Sequence, residues 1–210
     1  MDASASPGRR LARSSPAANE ADDQALMLAY AAGDAAAFDT LYQRHRRGLY
    51  GFLARQSPRP AWIDDLFQET WLAVIRARAD YRPSAQFRTW LFGIARNKLI
   101  DRIRLHEPAL LADLVESEAE EDPLSRLADP GGRSPETRLA DRQAAAAIAA
   151  ALQALPPVQR EVFLLREQAE MSLDEIARLT GVSPETAKSR LRYAVSKLKT
   201  ALMAWSRSDA

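Results

Sequence analysis

The chain of 210 residues contains no cysteine. This excludes a disulfide framework and any thiolate-bound metal. Its two histidines, His45 and His106, cannot by themselves build a histidine-rich metal site. Long apolar runs are also missing. The longest, Ala144 to Leu152, is mostly alanine and falls well short of the ~20 residues a membrane span needs. Residues 1–20 carry Arg9, Arg10 and Arg13 but no apolar segment, so no secretory signal is expected there. No glycine-rich phosphate loop, metal-ligand set or nucleophile–base constellation is visible. The expectation is a cytoplasmic protein without membrane insertion, without a cofactor and without enzymatic activity.

An excess of one charge is absent as well: 29 basic and 28 acidic residues leave a net charge of +1. The charges are nevertheless segregated. Arg82, Arg88, Arg96, Lys98, Arg102 and Arg104 share their stretch with a single acid, Asp101. Lys188, Arg190, Arg192, Lys197, Lys199 and Arg207 share theirs with none. Between these blocks, Glu107 to Asp122 is acidic and free of Lys and Arg. Two basic blocks around an acidic connector fit two contacts on one polyanion, or equally two solvated helix faces.

Apolar periodicity predicts helices throughout and no convincing strand. Residues 1–21, rich in Ser, Ala, Pro and Arg, read as a disordered tail. A short helix over 22–32 should stop at Gly33, with Asp34 capping the next. Phe38, Leu41, Tyr42, His45, Leu49, Phe52 and Leu53 form one apolar stripe, and His45 on it reads as a packed residue, not a ligand. After the break at Ser57-Pro58-Arg59-Pro60, a third helix is expected over Trp62–Arg78. A fourth is expected over about Ala85–Leu105, with Ser84 as its cap. Residues 106–133 read as linker, with a short helix near Leu110–Val115. Ser134-Pro135-Glu136 is a helix start, as is Ser183-Pro184-Glu185. The architecture is therefore all-α, with helical domains over 22–105 and 134–206.

The stretch "SLDEIARLTGVSPETAKSRLRYAVSKL" carries the sharpest local chemistry. Ser172 and Glu175 form a capping-box pattern, and Gly181 suits the left-handed position that ends a helix. A second helix follows, with Ala187, Leu191, Ala194 or Val195, and Leu198 on its inner side. Its other side displays Lys188, Ser189 and Arg192, with Arg190 at the flank. A short helix, a glycine-containing turn and a longer basic helix is the helix-turn-helix arrangement, whose second helix enters the major groove. An ordinary helical hairpin is the alternative; the caps, the glycine at the turn and the cations without acids after Glu185 favour DNA reading.

At this point the sequence resembles the extracytoplasmic-function (ECF) class of bacterial sigma factors, within the sigma-70 family. "DDLFQETWLAVIRA" and "FRTWLFGIARNKLIDRIR" resemble region 2, and "ALPPVQREVFLLRE" with the helix-turn-helix resembles region 4. The resemblance implies two small helical domains joined by a flexible acidic linker, and promoter-specific transcription initiation. It implies RNA polymerase core as partner, through the β′ clamp and β flap, together with promoter DNA and an anti-sigma factor. It assigns Asp65, Gln68, Glu69, Leu72 and Arg76 to the clamp contact. Tyr81, Arg82, Ser84, Gln86 and Phe87 would capture an extruded base of the −10 element, with Tyr81 and Phe87 stacking on it. On the next helix Trp90, Asn97 and Asp101 share one side with Arg104, while Lys98 and Arg102 form a ridge for phosphates. Trp90 fits either stacking on unpaired bases or core packing. Ser183, Pro184, Glu185, Thr186, Lys188, Ser189, Arg190, Arg192 and Tyr193 would read the −35 element. Tyr193 stands where many relatives carry Arg, which leaves its DNA role open. The competing readings are a stand-alone helix-turn-helix regulator and an enzyme. The first would normally need a dimerisation element and the second a reactive constellation, and neither is visible.

Overall fold

Helix boundaries follow the capping chemistry closely. The computed structural model describes residues 16–83, 85–106 and 135–208. Helix α1 (Pro16–Ala31) ends at Gly33, whose φ of 109° only glycine adopts without strain. Asp34 then caps α2 (Ala35–Gln56), its carboxylate accepting from the amides of Ala36 and Ala37. After a 3₁₀ turn at Pro60–Trp62 comes α3 (Ile63–Ala77), with Asp64 and Asp65 in its first turn. A second 3₁₀ turn, Arg78–Asp80, leads towards α4 (Phe87–His106). The second half holds α5 (Pro135–Gln153), α6 (Pro157–Glu167), α7 (Leu173–Thr180) and α8 (Pro184–Ser208). Every regular element among the described residues is a helix.

Two expected boundaries move. Helix α1 starts at Pro16, not at 22, so the tail assigned to 1–21 is helical from Pro16 onwards. Proline suits the first helical position and the alanines after it are the best helix formers, which the Ser- and Arg-rich composition upstream had obscured. Helix α4 starts at Phe87, two residues late, and its first turn closes with the Trp90 amide donating to the Gln86 carbonyl at 3.1 Å. Ser84, and the linker with its expected helix near Leu110–Val115, lie outside the described residues.

The first domain packs α1 to α4 around fully buried Leu41, Leu49, Phe52, Leu66, Phe87 and Leu91. The second packs α5, α6 and α7 on α8 around Leu152, Val162, Leu165, Met171, Ile176 and Ala187. Burying each large apolar side chain is worth about 1.5–3 kcal/mol. His45 is a packed residue as expected, its ring 5.3 Å from Phe87 and its Nε2 2.7 Å from Asp23. The two cores are continuous, because α4 buries Arg88, Phe92 and Gly93 as well as Leu91, Ala95 and Leu99. Leu179 of α7 lies over Gly93, 3.5 Å from where a Cβ would sit.

The helix-turn-helix forms as its sequence dictates. Ser172 accepts the Glu175 amide at 3.2 Å, while Glu175 accepts the Ser172 amide at 2.9 Å. Gly181 ends α7 at φ 71°, and Val182 donates back to the Ala177 carbonyl. Ser183 accepts the Thr186 amide at 3.1 Å, which starts α8. Gly181→Ala forces a Cβ into the left-handed region and should cost about 1–2 kcal/mol, lowering the melting midpoint by about 2–8 °C. A thermal melt followed by circular dichroism reads this; an unchanged midpoint would mean that the turn relaxes without strain.

Candidate nucleic-acid interface

The register of α8 is fixed by its buried side. Ala187 and Ala194 are fully buried and Leu198 nearly so, which settles the alternative between Ala194 and Val195 in favour of the former. The opposite side then carries exposed Lys188 and Arg192. Lys188 has Glu185 at 3.7 Å, a pair so exposed that it holds the lysine weakly. The Arg192 guanidinium lies 5.3 Å from the centre of the exposed Tyr193 ring, so these two residues present one combined surface. Pro184 and Glu185 are exposed, and Arg190 is half-buried. Ser183 and Thr186 are bound to each other at the cap, and the Ser189 hydroxyl donates to the Thr186 carbonyl. The expected −35 residues thus gather at one helix end, with Lys188 and Arg192 as its exposed cations.

On α3, Asp65, Gln68, Leu72 and Arg76 are exposed together, and Leu72 leaves 46% of its surface uncovered. Glu69 departs from this open face. Its Oε1 holds Arg102 at 2.5 Å and its Oε2 lies 3.5 Å from Lys98, while Asp65 lies 3.8 Å from Arg102. The expected phosphate ridge of Lys98 and Arg102 is therefore neutralised by the acids expected to meet polymerase. Helices α3 and α4 pack side by side, and a cation next to an acid across that seam pairs before it waits for DNA. Asn97 and Asp101 remain exposed, with Arg104 3.7 Å from Asp101.

The stretch before α4 corrects one expectation. Tyr81 and Phe87 do not flank an open slot; they are 5% and 0% exposed. Tyr81 packs edge-on to Phe87 and to Trp90, and Phe87 packs tilted against Trp90, with centroids 5.0–6.5 Å apart. Burial and aromatic contacts place both rings in the core. Trp90 is half-buried in the same cluster, so core packing is the state observed. Arg82 is exposed and donates to the Tyr81 carbonyl at 3.0 Å, and Gln86 is half-buried.

The α4 side chains that sequence reasoning missed face the second domain. Arg96 donates to Glu161 at 2.8 Å, with both side chains about one-sixth exposed or less. Arg88 pairs with Glu170 at 2.6 Å, and Thr89 donates to Glu175 at 2.7 Å. Glu170 adopts φ 47°, the one positive φ outside glycine among the described residues. Arg160, 5% exposed, closes the same seam through Gln56 at 3.1 Å and the Gln153 carbonyl at 3.3 Å. Burial alone would raise the Glu175 carboxyl, but bonds from Thr89 and Ser172 and the charge of Arg178 hold it below the ordinary range. Its partner Thr89 lies 86 residues away in sequence, and no local pattern announces such a contact. Among the described residues no helix is long and apolar enough to cross a membrane, and no acid or histidine group could hold a metal.

Comparison with known proteins gives the family of the chain. The Sigma-70 region 2 family model matches residues 41–107, and the Sigma-70, region 4 model matches 145–198. The RNA polymerase sigma factor CarQ of Myxococcus xanthus is 36% identical over 166 residues, covering 79% of this chain and 89% of that protein. The ECF RNA polymerase sigma factor SigM of Mycobacterium tuberculosis is 31% identical over 183 residues, covering 86% and 84%. The solved structure of CnrH in complex with the cytosolic domain of CnrY superposes with TM-score 0.57 at 28% identity, covering 87% of this chain and 98% of that one. The sigma factor RpoE in complex with the anti-sigma factor NepR, from Bartonella quintana, superposes with TM-score 0.59 at 21% identity over 79% and 96%, which speaks to fold alone. The chain belongs to the sigma-70 family, in its ECF class. It directs promoter-specific transcription initiation by RNA polymerase.

The interdomain seam makes a direct prediction. Arg96→Ala leaves Glu161 largely buried without its cation, which should cost about 1–3 kcal/mol. The double variant Arg96→Ala/Glu161→Ala should recover part of that loss, because the uncompensated charge is gone. Chemical denaturation of the four chains measures the coupling; independent, additive effects would contradict a formed pair.

Proposed function

We propose that three surfaces of this chain divide the work of initiation. The exposed face of α3, centred on Leu72 and rimmed by Asp65, Gln68 and Arg76, receives the β′ clamp of the polymerase core. An apolar centre with a charged rim has the composition of a protein contact. Helix α8 enters the major groove at the −35 element, with Lys188 and Arg192 at bases and phosphates. Helix α4 and the residues before it, Arg82 and Gln86 above all, take the separated strand of the −10 element. The chain acts by binding and positioning, as a specificity subunit and not as a catalyst. CnrH is solved in complex with the cytosolic domain of CnrY, and by that likeness an anti-sigma factor is the third partner of this reading.

The observation that carries the reading is the pairing of Glu69 with Arg102 and Lys98. In the free chain, the acids beside the clamp face neutralise the cations beside the DNA face. A clamp that draws Asp65 and Glu69 into its own contacts releases Arg102 and Lys98 for phosphates. The two binding events are then favourably coupled, and by linkage the coupling runs equally in both directions. Such a chain withholds its α4 cations from DNA until it is joined to polymerase.

Run-off transcription with purified core polymerase on a pool of genomic fragments tests the function. The chain should yield discrete transcripts from a small set of fragments, and Lys188→Ala should weaken or shift that selection while the mutant still co-elutes with core. Transcripts independent of the chain, or a Lys188→Ala profile identical to wild type, would sink the reading.

A further inference from the structure

Helix α1 lies ahead of the region 2 match, which begins at residue 41, and nothing above gives it a task. Yet it touches the promoter-opening stretch at both ends. At the start of that stretch, the Arg78 guanidinium sits 5.5 Å from the Tyr30 ring centre. Asp23 stands next: burial, and then the nearby Asp23 carboxylate, push the Tyr81 phenol above its ordinary value. At the far end, the Gln24 side-chain amide donates to the Ala85 carbonyl at 3.1 Å, across 61 residues of sequence. Between these holds lies the exposed Arg82, itself outside any helix.

The grip of α1 is itself fixed. Asp23 is only 3% exposed, and a buried carboxylate is tolerated only when paired. It has two partners on α2, the Arg44 guanidinium and the His45 ring, each at 2.7 Å. This pins the register of α1 on α2 and so aims the next side chain, Gln24, at the Ala85 carbonyl. That carbonyl immediately precedes Gln86, whose own carbonyl starts the α4 ladder.

We propose that α1 is a brace for promoter opening and that Gln24 is its positioning residue. The brace holds the backbone on which Arg82 and Gln86 are displayed, so that an extruded base meets a preformed site. Extruding a base costs a few kcal/mol of stacking, and a loop that must also order itself on capture would add to that cost. The proposal rests on the reading that Arg82 and Gln86 act on the opened −10 strand, and the experiment separates the two.

The holoenzyme is assembled with wild type, with Gln24→Glu, with Arg82→Ala/Gln86→Ala, and with all three changes. Gln24→Glu keeps the shape of the side chain but sets a carboxylate against the Ala85 carbonyl. Opening is read by permanganate reactivity of unpaired thymines, on a promoter recovered from the run-off pool and on the same promoter with a pre-melted bubble. Gln24→Glu should lower opening of the duplex about three- to tenfold, the scale of one hydrogen bond. The loss should shrink on the bubble and should vanish when the Arg82 and Gln86 changes are already present. Core binding and the melting midpoint should stay near wild type. Normal opening by Gln24→Glu alongside a defective loop variant overturns the brace and leaves the loop reading intact. A Gln24→Glu loss that simply adds to the loop defect marks a general structural role and also overturns it. A loop variant that opens the duplex normally overturns both, since nothing would remain for α1 to position.

Discussion

Helix α4 is required to be buried on two sides at once, and the rest of the structure follows from that constraint. Its Leu91, Ala95 and Leu99 close the first domain. Its Arg88, Thr89 and Arg96 meet acids of the second. Its Lys98 and Arg102 meet acids of α3. A helix so engaged has no single apolar face, and its cations cannot all belong to one ligand. Each cation instead has an internal partner whose release has a definite cost. Exposed pairs are worth little and exchange readily, whereas largely buried ones such as Arg96–Glu161 resist separation.

This ordering gives the molecule a gradient of availability. Lys188 and Arg192 on α8 are held weakly or only against a neighbouring ring, so they are ready for DNA as they stand. Lys98 and Arg102 become available when the acids of α3 are taken up elsewhere. Arg88 and Arg96 are the most enclosed and act as the seam between the domains. At Gly51, a Cβ would meet the ends of the Arg55 and Gln168 side chains at 2.9 and 3.3 Å, both of which are long enough to swing aside.

What the sequence discloses is local. Asp34, Ser172, Gly181 and Ser183 each act within four residues of themselves, and each stands where local chemistry puts it. The helix-turn-helix and its outward Lys188 and Arg192 were legible for the same reason: cap, turn and heptad-scale spacing are all short-range. The alternation of basic and acidic blocks was legible as charge, but not as pairing. Glu175 reads as a capping residue and is one, yet its second oxygen serves Thr89 in the other domain. Tyr81 and Phe87 flank a proline-containing stretch of sequence, where aromatics look available for stacking. Only the three-dimensional meeting of α1, α2 and α4 shows that the core needs them.

The central claim is that Glu69 restrains the DNA-binding cations of α4. Its most direct test is the salt dependence of binding between the free chain and a fluorescent single-stranded oligonucleotide, for wild type and Glu69→Gln. Removing the charge should free Arg102 and Lys98, strengthen binding at low salt and steepen the slope of log affinity on log salt by about 0.7 for each phosphate newly neutralised. Arg102→Ala should abolish most of that gain. A Glu69→Gln chain with the affinity and slope of wild type would contradict the claim, because cations already free of Glu69 would have nothing to be released from.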